Sequence, residues 1–102
     1  RPSANYRLEL GPERFSQRNL SLNAEARVAE FELTMSARFA VFDADNQAVI
    51  KETEVTTLRQ MENDPRNVVG KAEEIRILKS EMRADLSRQI MRRIGFFAAG
   101  NS

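Results

Sequence analysis

The run VAEFELTMSARFAVFD, residues 28–43, alternates in character from one position to the next. Phe31, Leu33, Met35, Ala37, Phe39 and Val41 share one parity, while Glu30, Glu32, Thr34, Ser36 and Arg38 share the other. Successive strand residues point to opposite faces, so alternation over this length predicts a long strand with one buried face. DADNQ follows, dense in turn formers, and AVIKETEVTTLRQM then returns with the β-branched residues that suit a pleated surface. The two runs predict a long antiparallel hairpin with its tip near residues 44–46.

Upstream, NYRLEL alternates briefly and stops at Gly11-Pro12. RFSQRNLSL, residues 14–22, is either a further strand or the same one continued past a bulge, and NAEA links it to the long strand. After the turn-rich ENDPRN the period changes. Ile75, Leu78, Met82, Leu86, Ile90 and Ile94 recur at spacings of three and four, a core-facing helical stripe. Asn67 is the expected N-cap and Gly95 the expected C′ residue, which would put Arg88, Arg92 and Arg93 in the last turns, where cations suit the helix dipole. The fold class is α/β of the α+β type: a mostly antiparallel sheet with a long central hairpin and a long C-terminal helix packed on one face. One helix does not cover strands this long, so another element upstream or a partner is expected to cover the remainder.

Composition narrows the function. The 102 residues make one domain, and with 41% hydrophobic and 30% charged residues the chain is globular in character. A net charge of +1 gives no strong bulk attraction to nucleic acid or anionic membranes, so any basic site is local. Histidine and cysteine are both absent. Their absence removes disulfides, Cys/His zinc sites, thiolate nucleophiles and a Ser-His-Asp triad. No catalysis and no cofactor are expected. No apolar run approaches the roughly 20 residues needed to span a bilayer. The opening RPSANY has neither an initiator Met nor a signal peptide, and the chain is expected to be part of a longer protein.

Several motifs fail on inspection. Asp43, Asp45 and Glu54 have the spacing of a calcium loop, but Ala48 stands where an EF-hand needs glycine and the flanks read as strands. Gly70-Lys71 lacks the earlier glycine of a phosphate loop, where Pro65 stands, and has Ala72 in place of Ser or Thr. Glu73-Glu74 near a helix start is accounted for by the dipole. The basic helix end carries Glu81 and Asp85 among its charges and reads as a solvated face, the alternative being a module that binds a protein or nucleic-acid partner through that helix. Phe96 and Phe97 either fold back on the sheet or form a docking point.

Geometry singles out two cations. A hairpin tip near residue 45 would place Arg27 opposite residues 62 or 63, and Lys71 follows close to that same open end. Arg27 shares parity with Phe31, and Lys71 lies one turn before Ile75 on the apolar stripe. Both are aimed at the mouth of the core. There they are either a site for an amphiphile with anionic head groups or a pair of snorkelling side chains.

Three stretches in order carry a family resemblance: AEFEL at residues 29–33, NVVGKAEE at 67–74, and the run from Arg83-Ala84-Asp85 to Arg93. Over roughly residues 6–94 the chain resembles the LPS-assembly lipoprotein family, LptE. The resemblance implies two helices on one face of a mostly antiparallel four-stranded sheet, the second helix and first strand belonging to an N-terminal part, beyond a lipidated cysteine, that this chain lacks. It implies a non-enzymatic protein on the periplasmic side of the outer membrane, anchored by a lipid that this chain does not carry. Its partners would be the β-barrel LptD, which it plugs and helps assemble, and lipopolysaccharide, with no nucleic acid. Lys71 falls on a family position implicated in lipopolysaccharide binding. A second family cation maps to about Ala24 here, and Arg27, three residues on, is the candidate to replace it.

Overall fold

The computed structural model describes residues 5–22, 28–64, 66 and 68–100. Four strands, β1 (Arg7–Leu10), β2 (Arg14–Leu22), β3 (Val28–Phe42) and β4 (Ala48–Glu62), are followed by one helix, α1 (Val68–Gly100). This is the α+β architecture that the alternating and helical periods predict. β3 and β4 form the hairpin, each 15 residues long. The tip is built by Asp43, whose carboxylate oxygen accepts the backbone N–H of Asp45 and of Gln47, each at 2.9 Å. Asn46 adopts a left-handed φ of 64°, a conformation that asparagine tolerates better than most residues. Asp43 is thus a turn residue, engaged with backbone.

β1 and β2 both lie antiparallel against the same edge of β3, β1 beside residues 39–42 and β2 beside residues 28–36. They are one strand with a break. Leu8 and Leu10 oppose Val41 and Phe39, whereas Phe15 and Gln17 oppose Met35 and Leu33. Directly opposed residues share a face, so the parity on the core side changes from even to odd across residues 11–13. One extra residue there does this, held where the Gly11 N–H donates to the Arg38 carbonyl at 2.7 Å.

The odd face of β3 carries the core: Phe31, Leu33, Met35, Phe39 and Val41 are buried with Val55 and Met61 of β4 and with Met82, Leu86 and Ile90 of α1. Ile75, Leu78 and Ile94 pack on its margin, which accounts for the whole apolar stripe. The helix lies over β3 and β4. It leaves the β1 side open, with Tyr6, Leu8 and Leu10 all exposed.

The helix does not end at Gly95. It runs 33 residues to Gly100, because Ile94 is still seated on the core and Phe97 meets Tyr6 edge-on at 5.9 Å between ring centroids. Phe97 therefore folds back towards the sheet, and Phe96 is exposed. Arg92 and Arg93 consequently stand ahead of the last turn, which contains no basic residue, so the dipole does not account for them. Glu73, likewise outside the first turn, is bound instead by both guanidinium contacts of Arg76, at 3.0 and 2.6 Å. No helix among the described residues is long and apolar enough to cross a membrane.

Candidate functional site

At the open end of the hairpin Phe31 opposes Met61, and both are buried. The next pair, Glu30 and Glu62, belongs to the opposite face and so points away from the core. One residue beyond β4, Asn63 stands beside the incoming helix. Lys71 Nζ donates to Asn63 Oδ1 at 3.1 Å and lies 5.3 Å from the centroid of the Phe31 ring. The lysine is half-buried. Three elements thus converge on one ammonium: the start of β3, the exit of β4 and the first turns of α1.

The electrostatics of this arrangement are open-ended. An amide oxygen and a ring face each favour a cation, yet neither neutralises it. Among the described residues no carboxylate forms an ion pair with Lys71.

Arg27 and Ala24 lie outside the described residues. The register at the open end differs from a count back from the tip. Glu30, not residue 27, opposes Glu62. The pairing slips between Phe39 and Val41 and again between Val41 and Phe42, each time with an extra residue on β4, so the open end is offset from a simple count back from the tip.

Lys71 is the first of a line of residues spaced by four, continuing through Ile75, Lys79 and Arg83. Lys79 Nζ sits 4.4 Å from the centroid of the Phe15 ring. Arg83 grips the Glu13 carboxylate with two hydrogen bonds, at 2.6 and 3.1 Å. That contact is the main cause holding the Glu13 carboxyl below its usual range. The cationic edge of α1 therefore faces β2 and the bulge.

The other edge is tied to β4. Gln89 Nε2 donates to the Thr56 carbonyl at 2.9 Å, and Arg59 donates to the hydroxyl of buried Thr57 at 2.8 Å. The Thr57 hydroxyl in turn donates to Asp85, the largest cause of that carboxyl being held below its ordinary value, with Gln89, Arg88 and Arg59 adding to it. Asp85 and Gln89, one turn apart, are the polar seam between helix and sheet. Among the described residues no cluster of acidic side chains is placed to hold a metal ion.

The sequence pattern places Lys71 at this end of the core, and it carries no sign of the side chains around it. Asn63 is a loop residue with no periodic signature, and Phe31 reads only as core. Lys79 was legible in principle, since it continues the spacing of four from Lys71 and Ile75.

A family model described as LptE, lipopolysaccharide-assembly, matches residues 1–94. The chain belongs to the LptE family. Its fold is similar to the crystal structure of the rare lipoprotein B from Shewanella oneidensis, with a TM-score of 0.83 and 26% identity over 93% of this chain and 70% of that one. The solution structure of an uncharacterized lipoprotein B from Nitrosomonas europaea is similar to the same degree, with a TM-score of 0.81 and 26% identity over 96% of this chain. The chain spans 63% of the length of that second relative. No curated protein matches the sequence significantly. Within the LptE match lie both Lys71 and the Asp85–Gln89 seam.

Proposed function

We propose that this chain acts, without catalysis, in lipopolysaccharide transport at the periplasmic side of the outer membrane, as a plug and assembly partner of the β-barrel LptD that also binds lipopolysaccharide. Membership of the LptE family supports the transport role. The observation that carries lipopolysaccharide binding is the Lys71 ammonium, set over Phe31 and bonded to a neutral amide at the mouth of an apolar core. Lipopolysaccharide presents phosphates beside acyl chains, and this site offers a cation beside apolar groups. The plug reading draws on the family and on shape: the molecule is a rod of 64 × 21 × 20 Å, and the largest outer-membrane barrels hold a plug in their lumen. Full-length protein bearing a lipid anchor would hold such a rod at the membrane.

The test is lipopolysaccharide binding by folded variants at low salt. Lys71→Asp replaces attraction by repulsion and should weaken binding more than Lys71→Ala. A charge-assisted contact is worth on the order of 1.5–3 kcal/mol, about 10- to 150-fold in affinity. Arg27→Asp should have a smaller effect of the same sign. Circular dichroism should show the helix intact, since Lys71 makes one neutral hydrogen bond and lies near a helix end. Unchanged affinity in Lys71→Asp would remove the binding site from the proposal. For the plug, full-length protein should leave outer membranes together with a large β-barrel; release as a free soluble protein would favour an interaction module instead.

A further inference from the structure

Lys71 is one of two lysines in the same posture. Lys71 lies across Phe31 on β3, and Lys79 lies across Phe15 on β2. Both rings belong to the core-side face, because Phe15 opposes Met35 and Asn19 opposes Phe31. Gln17 and Asn19 share that face on β2, running from Phe15 to a position beside Phe31, and are exposed, since α1 covers β3 and β4 and stops short of β2. The result is a trough. Its wall is the cationic edge of α1 and its floor is a strip of two amide side chains with an aromatic ring at either end.

The spacing is definite. The lysines stand eight helical positions apart, an axial rise of about 12 Å. Glu13, the carboxylate whose charge reaches Lys79, is already taken by both hydrogen bonds of Arg83. Among the described residues neither lysine is in an ion pair. Two ammonium groups outside any ion pair, two turns apart, flank a strip of hydrogen-bonding amides.

The geometry points to a two-point clamp: Lys71 and Lys79 each hold one phosphate of an amphiphile whose two phosphates stand at the ends of a disaccharide, with Gln17 and Asn19 meeting the sugar between them. This rests on the reading of Lys71 as a lipopolysaccharide contact and adds a second anion site, a polar floor and a preference for the doubly phosphorylated ligand. A one-phosphate ligand can satisfy one lysine at a time, whereas a two-phosphate ligand engages both without a second loss of translational freedom.

The experiment compares lipid A carrying both phosphates with lipid A lacking one, each in detergent micelles, against wild type, Lys71→Met, Lys79→Met and Lys79→Arg. Methionine keeps an apolar stem over each ring, and circular dichroism checks the fold. Wild type should prefer the two-phosphate ligand by about 10-fold, and each Met variant should lose about that factor and with it the preference. Lys79→Arg should retain both. If Lys71→Met weakens binding while Lys79→Met equals wild type on both ligands, the clamp is wrong and the single-site reading stands. Equal affinity of wild type for the two ligands also overturns the clamp. If wild type binds neither, the clamp and the lipopolysaccharide reading fall together.

Discussion

Asp85 illustrates how one side chain ties chemistry to stability. Its carboxylate accepts the hydroxyl proton of buried Thr57, and that bond, aided by Gln89, Arg88 and Arg59, holds its pKa below the value it would have in the unfolded chain. A carboxyl depressed by folding contributes its full stabilisation above its unfolded pKa, near 4, and loses it as the pH falls through the lower folded value. The side chain is partly exposed, and water competes for its hydrogen bonds, so they are worth about 1 kcal/mol in total rather than several. Asp85→Asn should therefore lower the free energy of denaturant unfolding by about that amount at pH 7, and the gap to wild type should narrow progressively as acid takes the pH down through the lowered native value. A gap that stays constant down to pH 2 would mean that Asp85 acts by shape alone. The lysine stacks show the contrasting case: an ammonium over an aromatic ring is held without being neutralised.

At the scale of elements, the strands and helix were legible because burial imposes a period, and the departures arise where no period exists. The parity of β3 and the apolar stripe of α1 are direct images of one buried face each. The two bulges on β4 left no such mark, since Val49 and Ile50 suit a strand whether or not they are in register. Lys71 was legible through its place one turn before Ile75; Lys79 was not singled out, since a cation beside an apolar stripe resembles any solvated face. Gly95 misled for a related reason. Glycine commonly ends helices, but tertiary contacts on both sides of it, Ile94 on the core and Phe97 on Tyr6, keep this one helical. A side chain built there meets nothing within 4 Å. Gly95→Ala should accordingly stabilise the protein by about 0.5–1 kcal/mol in chemical denaturation, by removing backbone freedom from the unfolded chain. Destabilisation would indicate that the helix bends or ends at this residue.

As a whole the molecule is far from a sphere. Its radius of gyration is 18.7 Å, against about 13 Å for a compact domain of this length. Long strands under one helix produce that shape, and they leave the β1 and β2 flank with less cover than the hairpin. The same construction makes β3 unlike every other segment. Most of its length has a partner strand on both edges, while β4 and the β1–β2 strand have a partner on one edge only among the described residues. Seen as motion, this makes the molecule a spine with hinged margins. In heavy water the amides of residues 31–36 and 39–41 should exchange slowest, because releasing them requires breaking two ladders together rather than fraying one. Residues 91–100, at the far end of the helix, should exchange orders of magnitude sooner. Exchange measured segment by segment would detect the difference, and equal protection along the helix and β3 would show that the two open as a single unit.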